Sequence, residues 1–396
     1  MMNDEPVPTT GIAAQADRPR SPPQQPGGHV VTLMPPLGKL VPRLRHIVVL
    51  SLLAHSACSS TLIGDTNAAA APASAPTVYE DGAGNAPPGA PQLPNLLKGY
   101  RHPPPWRVAG VDYAVGIPSG KSLKDPTTIV MPGVSLDRLH HFVRVTGNGV
   151  TLDGYDFSLH GGWGVYIDPG ASGTLITNSK FMAGANNVIP IAAQAGAGSL
   201  TVQYCSFDGG GANSNSVWTL INYNGSGSFL AQYDLFENAP EDAIDFSAGT
   251  VSPTIQYNLF KNLGTEAGSH ADPVQYVGGV VDNAVEQFNT IYQPQGLVPV
   301  GMQGLQIAAQ RNARITNTAL RNNVIISTGP LLTMSYLIAI VSDGTSSLDG
   351  AIVSNNYLDT SGAYGAFYPP RGDHLIFTAN WNMVTGRAFR SPPGTR

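Results

Sequence analysis

Phe229-Leu-Ala-Gln-Tyr-Asp-Leu-Phe236 and, one repeat later, Thr254-Ile-Gln-Tyr-Asn-Leu-Phe260 carry one pattern: alternating apolar and polar residues, an aromatic, then a bulky apolar residue. The same pattern precedes them in Val150-Thr-Leu-Asp-Gly-Tyr-Asp-Phe157, Leu175-Ile-Thr-Asn-Ser-Lys-Phe181 and Leu200-Thr-Val-Gln-Tyr-Cys-Ser-Phe207. It continues in Val285-Glu-Gln-Phe-Asn-Thr-Ile291, Thr318-Ala-Leu-Arg-Asn-Asn-Val-Ile325, Ile352-Val-Ser-Asn-Asn-Tyr-Leu358 and Ile376-Phe-Thr-Ala-Asn-Trp-Asn-Met383. The spacing is roughly 24 to 34 residues, that of stacked solenoid units.

Three residues before each terminal apolar residue runs a second column: Gly154, Asn178, Tyr204, Tyr233, Tyr257, Phe288, Asn322, Asn355, Asn380. It is mostly Asn towards both ends and aromatic in the middle. In a solenoid, equivalent positions stack at about the 4.8 Å strand spacing. Asn amides then hydrogen-bond from coil to coil, and rings stack. Asn also tolerates the left-handed turn conformation.

Composition agrees. Of 396 residues only 12% are charged and 42% are hydrophobic, with 45 Gly and 33 Pro, which suits short strands joined by tight turns. The net charge of -5 and the lack of a long basic run after residue 50 speak against nucleic acid as a partner. Two cysteines, Cys58 and Cys205, exclude a disulfide framework and a multi-thiolate zinc site. Cys205, beside the stacked column, reads as a buried inert thiol.

The leader reads separately. Residues 1–45 are rich in Pro, Gly, Gln and Thr, the composition of a disordered segment. Residues 46–65 hold the apolar run Ile47-Val-Val-Leu-Ser-Leu-Leu-Ala54 behind the basic flank Arg43-Leu-Arg-His46, a signal segment. Met34 as the start would place that flank about ten residues in, as an export signal requires. Cys58 in His55-Ser-Ala-Cys58 offers a lipid anchor after a lipoprotein-like box, although His55 stands where an aliphatic residue is usual. An ordinary cleaved signal is the plainer reading. Residues 66–99 are Ala/Pro/Gly-rich and read as a tether, with the folded domain over 100–390. The protein is therefore expected outside the cytoplasm: extracellular, periplasmic or on the cell surface.

The repeat resembles the right-handed parallel β-helix proteins of the pectate-lyase-like superfamily. The resemblance implies an all-β solenoid of about nine or more coils, expected to be monomeric, and says little about activity. Propeller blades would be longer and would contain hairpins, whose turn signals are missing. A second strand per coil is expected at Gly164-Val-Tyr-Ile167, Val188-Ile-Pro-Ile191, Val217-Trp-Thr-Leu-Ile221, Ala243-Ile-Asp-Phe246, Pro273-Val-Gln-Tyr276, Leu305-Gln-Ile307 and Leu337-Ile-Ala-Ile340. Its outward position reads Tyr166, Pro190, Asp245, Gln275, Gln306 and Ile338, with Trp218 or Thr219 in the looser coil.

This stacking places Asp245, Gln275 and Gln306 in one row and Asp242, Asp272 and Gln303 in another, with Glu241, Glu266 and His270 in the adjoining loops. Two stacked carboxylates about 5 Å apart repel, so one takes up a proton or a cation lies between them. The first outcome suits acid/base work on a glycosidic bond. In the second, a calcium ion on Asp242 and Asp272 would neutralise a uronate and acidify its C5 proton. His270 is a base candidate through its near-neutral ordinary pKa. Asp242, Asp245, His270 and Asp272 are thus the catalytic candidates. Gln275, Gln303, Gln306 and Arg311 are the substrate-binding candidates, Arg311 for a substrate carboxylate. Trp163, Tyr166 and Trp218 offer a sugar-stacking floor. Asp242 and Asp272 could equally cap backbone amides.

His270-Ala-Asp-Pro-Val-Gln275 resembles the His-x-Asp-x-x-Gln motif of bacterial carbohydrate-active β-helix proteins, with Pro273 where that motif has Gly or Ala. The chain lacks the Gly-His-Gly and Asn-Thr-Asp of polygalacturonases, the Arg-x-Pro-x-x-Arg of the main pectate lyases and the Asp-Pro-His-Asp of mannuronan epimerases. The expectation is a lyase or glycosidase acting on an acidic polysaccharide. The alternative is a non-catalytic surface adhesin or glycan-binding scaffold.

Overall fold

The computed structural model describes residues 83–186, 188–211, 217–266, 269–294, 303–328, 334–359 and 364–396. The leader, the signal segment, Met34, Cys58 and the linker up to residue 82 lie outside the described residues. No helix among the described residues is long and apolar enough to cross a membrane.

The chain is a parallel β-helix. In one sheet nine strands stack in parallel from Thr151–Asp153 to Ile376–Thr378. A second sheet stacks strands from Lys180–Met182 to Trp381–Asn382. A third sheet, which carries the candidate site, runs through Phe142–Val145, Gly164–Ile167, Ile191–Ala193, Thr219–Tyr223, Asp242–Phe246 and Val274–Tyr276. The parallel pair Leu305–Ala309 and Ile338–Ser342 adjoins it, with the Gln303 amide donating to the Ala271 carbonyl at 3.1 Å.

Side chains at equivalent positions stack, as the repeat requires. Rings of Phe157, Phe181, Phe207, Phe236 and Phe260 lie 4.6, 4.8, 4.8 and 4.9 Å apart in sequence along the core. Tyr204, Tyr233, Tyr257 and Phe288 stack at 5.3, 5.1 and 5.2 Å, all at positive φ. Asn355 donates to Asn322 across coils at 2.7 Å. The last coil is offset by one residue from the sequence reading. Asn382, not Met383, lies opposite Leu358, and the positive-φ residue is Ala379, not Asn380. The tail Asn-Trp-Asn-Met supports either frame by pattern alone.

Asn380 belongs instead to a ladder one residue further along each turn. The backbone amides of Asp234, Asn258, Asn289, Asn323 and Asn356 donate to the side-chain oxygens of Asn258, Asn289, Asn323, Asn356 and Asn380 at 2.9–3.2 Å. Each Asn amide nitrogen in turn donates to a carbonyl of the sheet, as Asn258 does to Ala231 at 3.0 Å. A buried turn amide left without an acceptor costs roughly 1–3 kcal/mol, so the ladder decides whether the turn can be buried. Cys205 takes one rung. It is fully buried, and burial pushes its thiol pKa up.

Residues 83–99, inside the segment read as a linker, are packed on the solenoid. Leu93 N–H donates to Gly110 and Gln92 to Val115, each at 2.7 Å. The following stretch is tied to the helix wall by Thr290 Oγ1 to Ala109 at 2.8 Å and by Trp106 edge-on to Phe288 and Tyr357. This segment covers the aromatic column, and its apolar side chains (Leu93, Leu96, Val108, Val111) explain why it packs.

Asp234 is the one carboxyl in the ladder. Its Oδ1 accepts the Cys205 amide at 2.7 Å, its Oδ2 has no partner, and burial raises its pKa well above the ordinary value. The folded state thus holds a proton that the unfolded chain releases at about 3.9. Its contribution is complete below that pH and is lost as pH rises towards the folded value. Asp234→Asn should complete the ladder, adding about 1–2 kcal/mol near neutral pH and less at pH ~4. Thermal unfolding at the two pH values checks this, and an unchanged or lower melting temperature at the higher pH would refute it.

Candidate functional site

The third sheet turns one face inward and one outward. Val143, Val165, Ile191, Ile221, Ile244 and Val274 fill the inner column, which fixes Arg144, Tyr166, Ala192, Asn222, Asp245 and Gln275 as the outer row. The Asp245–Gln275 register is as the sequence places it. Other members differ. Ala192, not Pro190, follows Tyr166, and Ala339, not Ile338, pairs with Gln306. In the looser coil Asn222 holds the place expected of Trp218 or Thr219. Val188-Ile-Pro-Ile alternates equally well in a frame two residues away, and only the strand Ile191–Ala193 decides it.

Over this row opens a cleft of ≈ 420 Å³ lined by Trp218, Glu241, Asp242, Asp245, Ser247, His270, Gln275, Val277 and Arg311. Asp245 lies in it at 1% exposure, with Oδ1 unpartnered. Burial pushes its carboxyl up to about 7, against the opposing pull of a Ser247 hydrogen bond and the Arg311 charge. The backbone at Arg311 has φ 54°, and its amide donates to Asp343 at 3.1 Å, which pins this turn.

Asp242 also lines the cleft, at 4% exposure. Its Oδ1 accepts the Asp272 backbone amide at 2.7 Å, so it does cap an amide. Burial and then the neighbouring Asp272 charge raise its pKa well above the ordinary value. Asp272 itself is fully buried and does not line the cleft. Its Oδ2 meets His270 Nδ1 at 3.3 Å and Gln275 Nε2 at 3.4 Å. With its amide nitrogen turned towards Asp272, Gln306 donates to both carboxylate oxygens. His270 and Gln275 of the His-x-Asp-x-x-Gln segment therefore converge on the carboxylate of its Asp272. Gln303 and Gln306 are buried beside it rather than in the cleft wall.

His270 is half-exposed, its side chain 54% accessible, yet the Asp272 charge and hydrogen bond push its pKa up to about 9. That shift favours the protonated imidazole at neutral pH. A histidine on a buried carboxylate keeps its proton more readily than a free one. Trp218, 37% exposed, forms part of the wall, whereas Trp163 is buried against His141 and offers no sugar platform. Tyr166 lies three coils away beside Arg144, which is paired with Asp168 at 2.8 Å.

Two groups escaped the sequence reading. Ser247 follows Asp245 on the same strand exit. Glu286 sits in the apolar inner column between Ile255 and Leu320, where it accepts the Tyr276 hydroxyl at 2.8 Å and is pushed up to about 8 by burial. The inward parity of Val285-Glu-Gln is the signal that could have found Glu286.

The Asp242–Asp272 pair was also the expected calcium position. The groups around Asp272 are N–H donors, whereas calcium takes oxygen ligands, so an ion there would have to displace His270, Gln275 and Gln306. Among the described residues, no group of three or more His, Cys, Asp or Glu side chains is arranged to hold a metal.

Replacing Asp272 with Asn should drop the His270 pKa from about 9 towards its ordinary value of about 6.5. An NMR titration of the imidazole protons reads this directly, and a wild-type midpoint already near 6.5 would remove the ion pair from the site.

No family model matches the chain, and no curated protein matches it. Among solved structures it is similar to the crystal structure of the periplasmic alginate epimerase AlgG, at 12% identity over 65% of this chain and 83% of that one, with a TM-score of 0.24.

Proposed function

We propose that the protein is an exported, right-handed β-helix enzyme of the pectate-lyase-like kind that cleaves an acidic polysaccharide by β-elimination. The observation that carries this is Asp245, a buried carboxyl titrating at about 7 with one oxygen unpartnered in a cleft that also holds Arg311 and His270. In its ionised form Asp245 takes the C5 proton of a uronate, α to the carboxylate. Arg311 and the His270 cation bind that carboxylate and stabilise the charge that develops on it. Asp242, kept neutral by burial, gives its proton to the departing glycosidic oxygen. The C4–O bond breaks, a C4–C5 double bond forms, and water resets both carboxyls. Trp218 offers one sugar a hydrophobic wall.

Charge neutralisation in this scheme comes from the two cations rather than from calcium. Chelator is therefore expected to leave turnover unchanged, and a strict calcium requirement would restore the metal at Asp242 and Asp272. Export rests on the basic flank and apolar run before residue 55. The hydrogen bond from the Asp272 backbone N–H to the Asp242 carboxyl favours the competing scaffold reading, in which the carboxyls only hold the coil together.

A panel of uronate polymers assayed by ultraviolet absorbance of the unsaturated product separates the readings. kcat/KM should rise through about 7 as Asp245 loses its proton and fall through about 9 as His270 loses its own. Asp245→Asn should cost about 100-fold or more, the usual contribution of a general base. New reducing ends without absorbance would replace elimination by hydrolysis, and a folded protein with no turnover on any polymer would leave the scaffold.

A further inference from the structure

The two rows of the cleft do not end at Gln303 and Gln306. Gly304 N–H donates to the Tyr336 carbonyl at 3.1 Å, and Leu305 lies opposite Ile338, which sets Tyr336 opposite Gln303. Tyr336 thus continues the row Asp242, Asp272, Gln303. Ile338 bridges to Phe367 in parallel, which sets Tyr368 opposite Ala339 at the end of the row Asp245, Gln275, Gln306, Ala339. Tyr364 joins them, its amide donating to the Ser335 carbonyl at 3.0 Å. The Tyr336 ring lies 5.0 Å from Tyr368, edge to face, and 5.7 Å from Tyr364. Tyr364 is 58% exposed and the other two rings are half-buried.

Three tyrosines are therefore gathered on the face that carries the cleft, Tyr336 two coils beyond Asp272 and Tyr364 and Tyr368 three, about 10 to 14 Å along the solenoid axis. Core packing does not require this. Core positions at this end are filled by Leu337, Ile338, Ile340 and Phe377. Clustered rings with hydroxyl edges present an apolar face and a polar rim together, which matches the alternating C–H faces and hydroxyls of a pyranose.

We propose that Tyr336, Tyr364 and Tyr368 form a distal sugar-stacking subsite that holds the polysaccharide chain after it leaves the acidic cleft. The subsite deepens the elimination reading and rests on it for the substrate class, since the shared rows set the tyrosines on the same sheet face as the cleft. Recognition there is of the sugar faces, not of the uronate charge, which Arg311 and His270 recognise in the cleft.

Affinity electrophoresis of the folded, full-length protein through gels containing each of a panel of acidic and neutral polysaccharides tests it. Wild type and Asp245→Asn should both be retarded. Tyr364→Ala, at an exposed position that leaves folding intact, should bind roughly 3- to 10-fold more weakly, and Tyr364→Trp should restore retention. Retardation of Tyr364→Ala equal to wild type overturns the subsite, whether or not the polymer is turned over, as does a failure of every polymer to retard the wild type. Retention that depends on Tyr364, with no turnover for Asp245→Asn to abolish, supports the subsite while removing the elimination reading.

Discussion

A coil can be stacked on the next only if the amide at each buried turn finds an acceptor in the neighbouring coil. In this chain that acceptor is a side chain. Asn oxygens from Asn258 to Asn380 receive the amides of the preceding coils, and each Asn nitrogen returns to the sheet. The bond repeats once per coil and fixes the turn in the same place each time. The strands before and after the turn are then held in register, and the Phe and Tyr columns can stack ring on ring. The positive φ of Tyr204, Tyr233, Tyr257 and Phe288 is an unfavourable conformation for bulky residues. It persists because ladder and stack hold the turn on both sides, and because residues 83–119 bury the rings from outside.

The same device builds the site. Asp242 accepts the Asp272 amide as the Asn residues do in the ladder, but with a carboxyl in place of an amide. An Asn there would be electrically silent. An Asp brings a charge into a buried row, next to a second Asp, and the fold answers in two ways. Asp242 keeps a proton, and Asp272 gathers His270, Gln275 and Gln306. The His270 cation at the mouth of the cleft is a consequence of the buried carboxylate beneath it. A structural cap and a chemical site are therefore one arrangement, and Asp242→Asn would separate the two roles: it keeps the cap and removes the acid.

Much of this was readable from residue order. The Phe column, the aromatic block from Tyr204 to Phe288 and the pairing of Asp245 with Gln275 follow from periodicity, because stacking makes equivalent positions share a chemistry. Frame errors arose where the pattern was degenerate, at Pro190, Ile338 and Asn380, since a shift of one or two residues still alternated. The wall packing of residues 83–99 was hidden because Ala, Pro and Gly dominate its composition while a few Leu residues do the binding. The charge of His270 was hidden for a different reason. It depends on the burial of Asp272, a three-dimensional property that spacing alone does not carry. Tyr336, Tyr364 and Tyr368 come from two different coils, and nothing in their spacing announces that they meet.

Five carboxyls between residues 234 and 286 are buried, and burial pushes each of them towards the neutral form: Asp234, Asp242, Asp245, Asp272 and Glu286. In a chain with only 12% charged residues such a concentration demands a reason. Physics of one kind gives them different uses. Asp234 is closed inside the ladder and Glu286 is closed inside the core under the Tyr276 hydroxyl, so a proton there is part of the packing. Asp242 and Asp245 line the cleft, so their protons can be exchanged with whatever enters it. Asp272 belongs to neither group, because His270 draws its carboxyl back towards ionisation and spends that charge on holding the imidazolium. What distinguishes a site from a buried defect here is access, and the cleft gives access to two carboxyls in different environments: Asp242, held neutral by burial beside a second Asp, and Asp245, raised by burial to about 7 while Ser247 and Arg311 pull it back towards ionisation. A pair of groups pushed apart in this way can give a proton and take one in the same turnover.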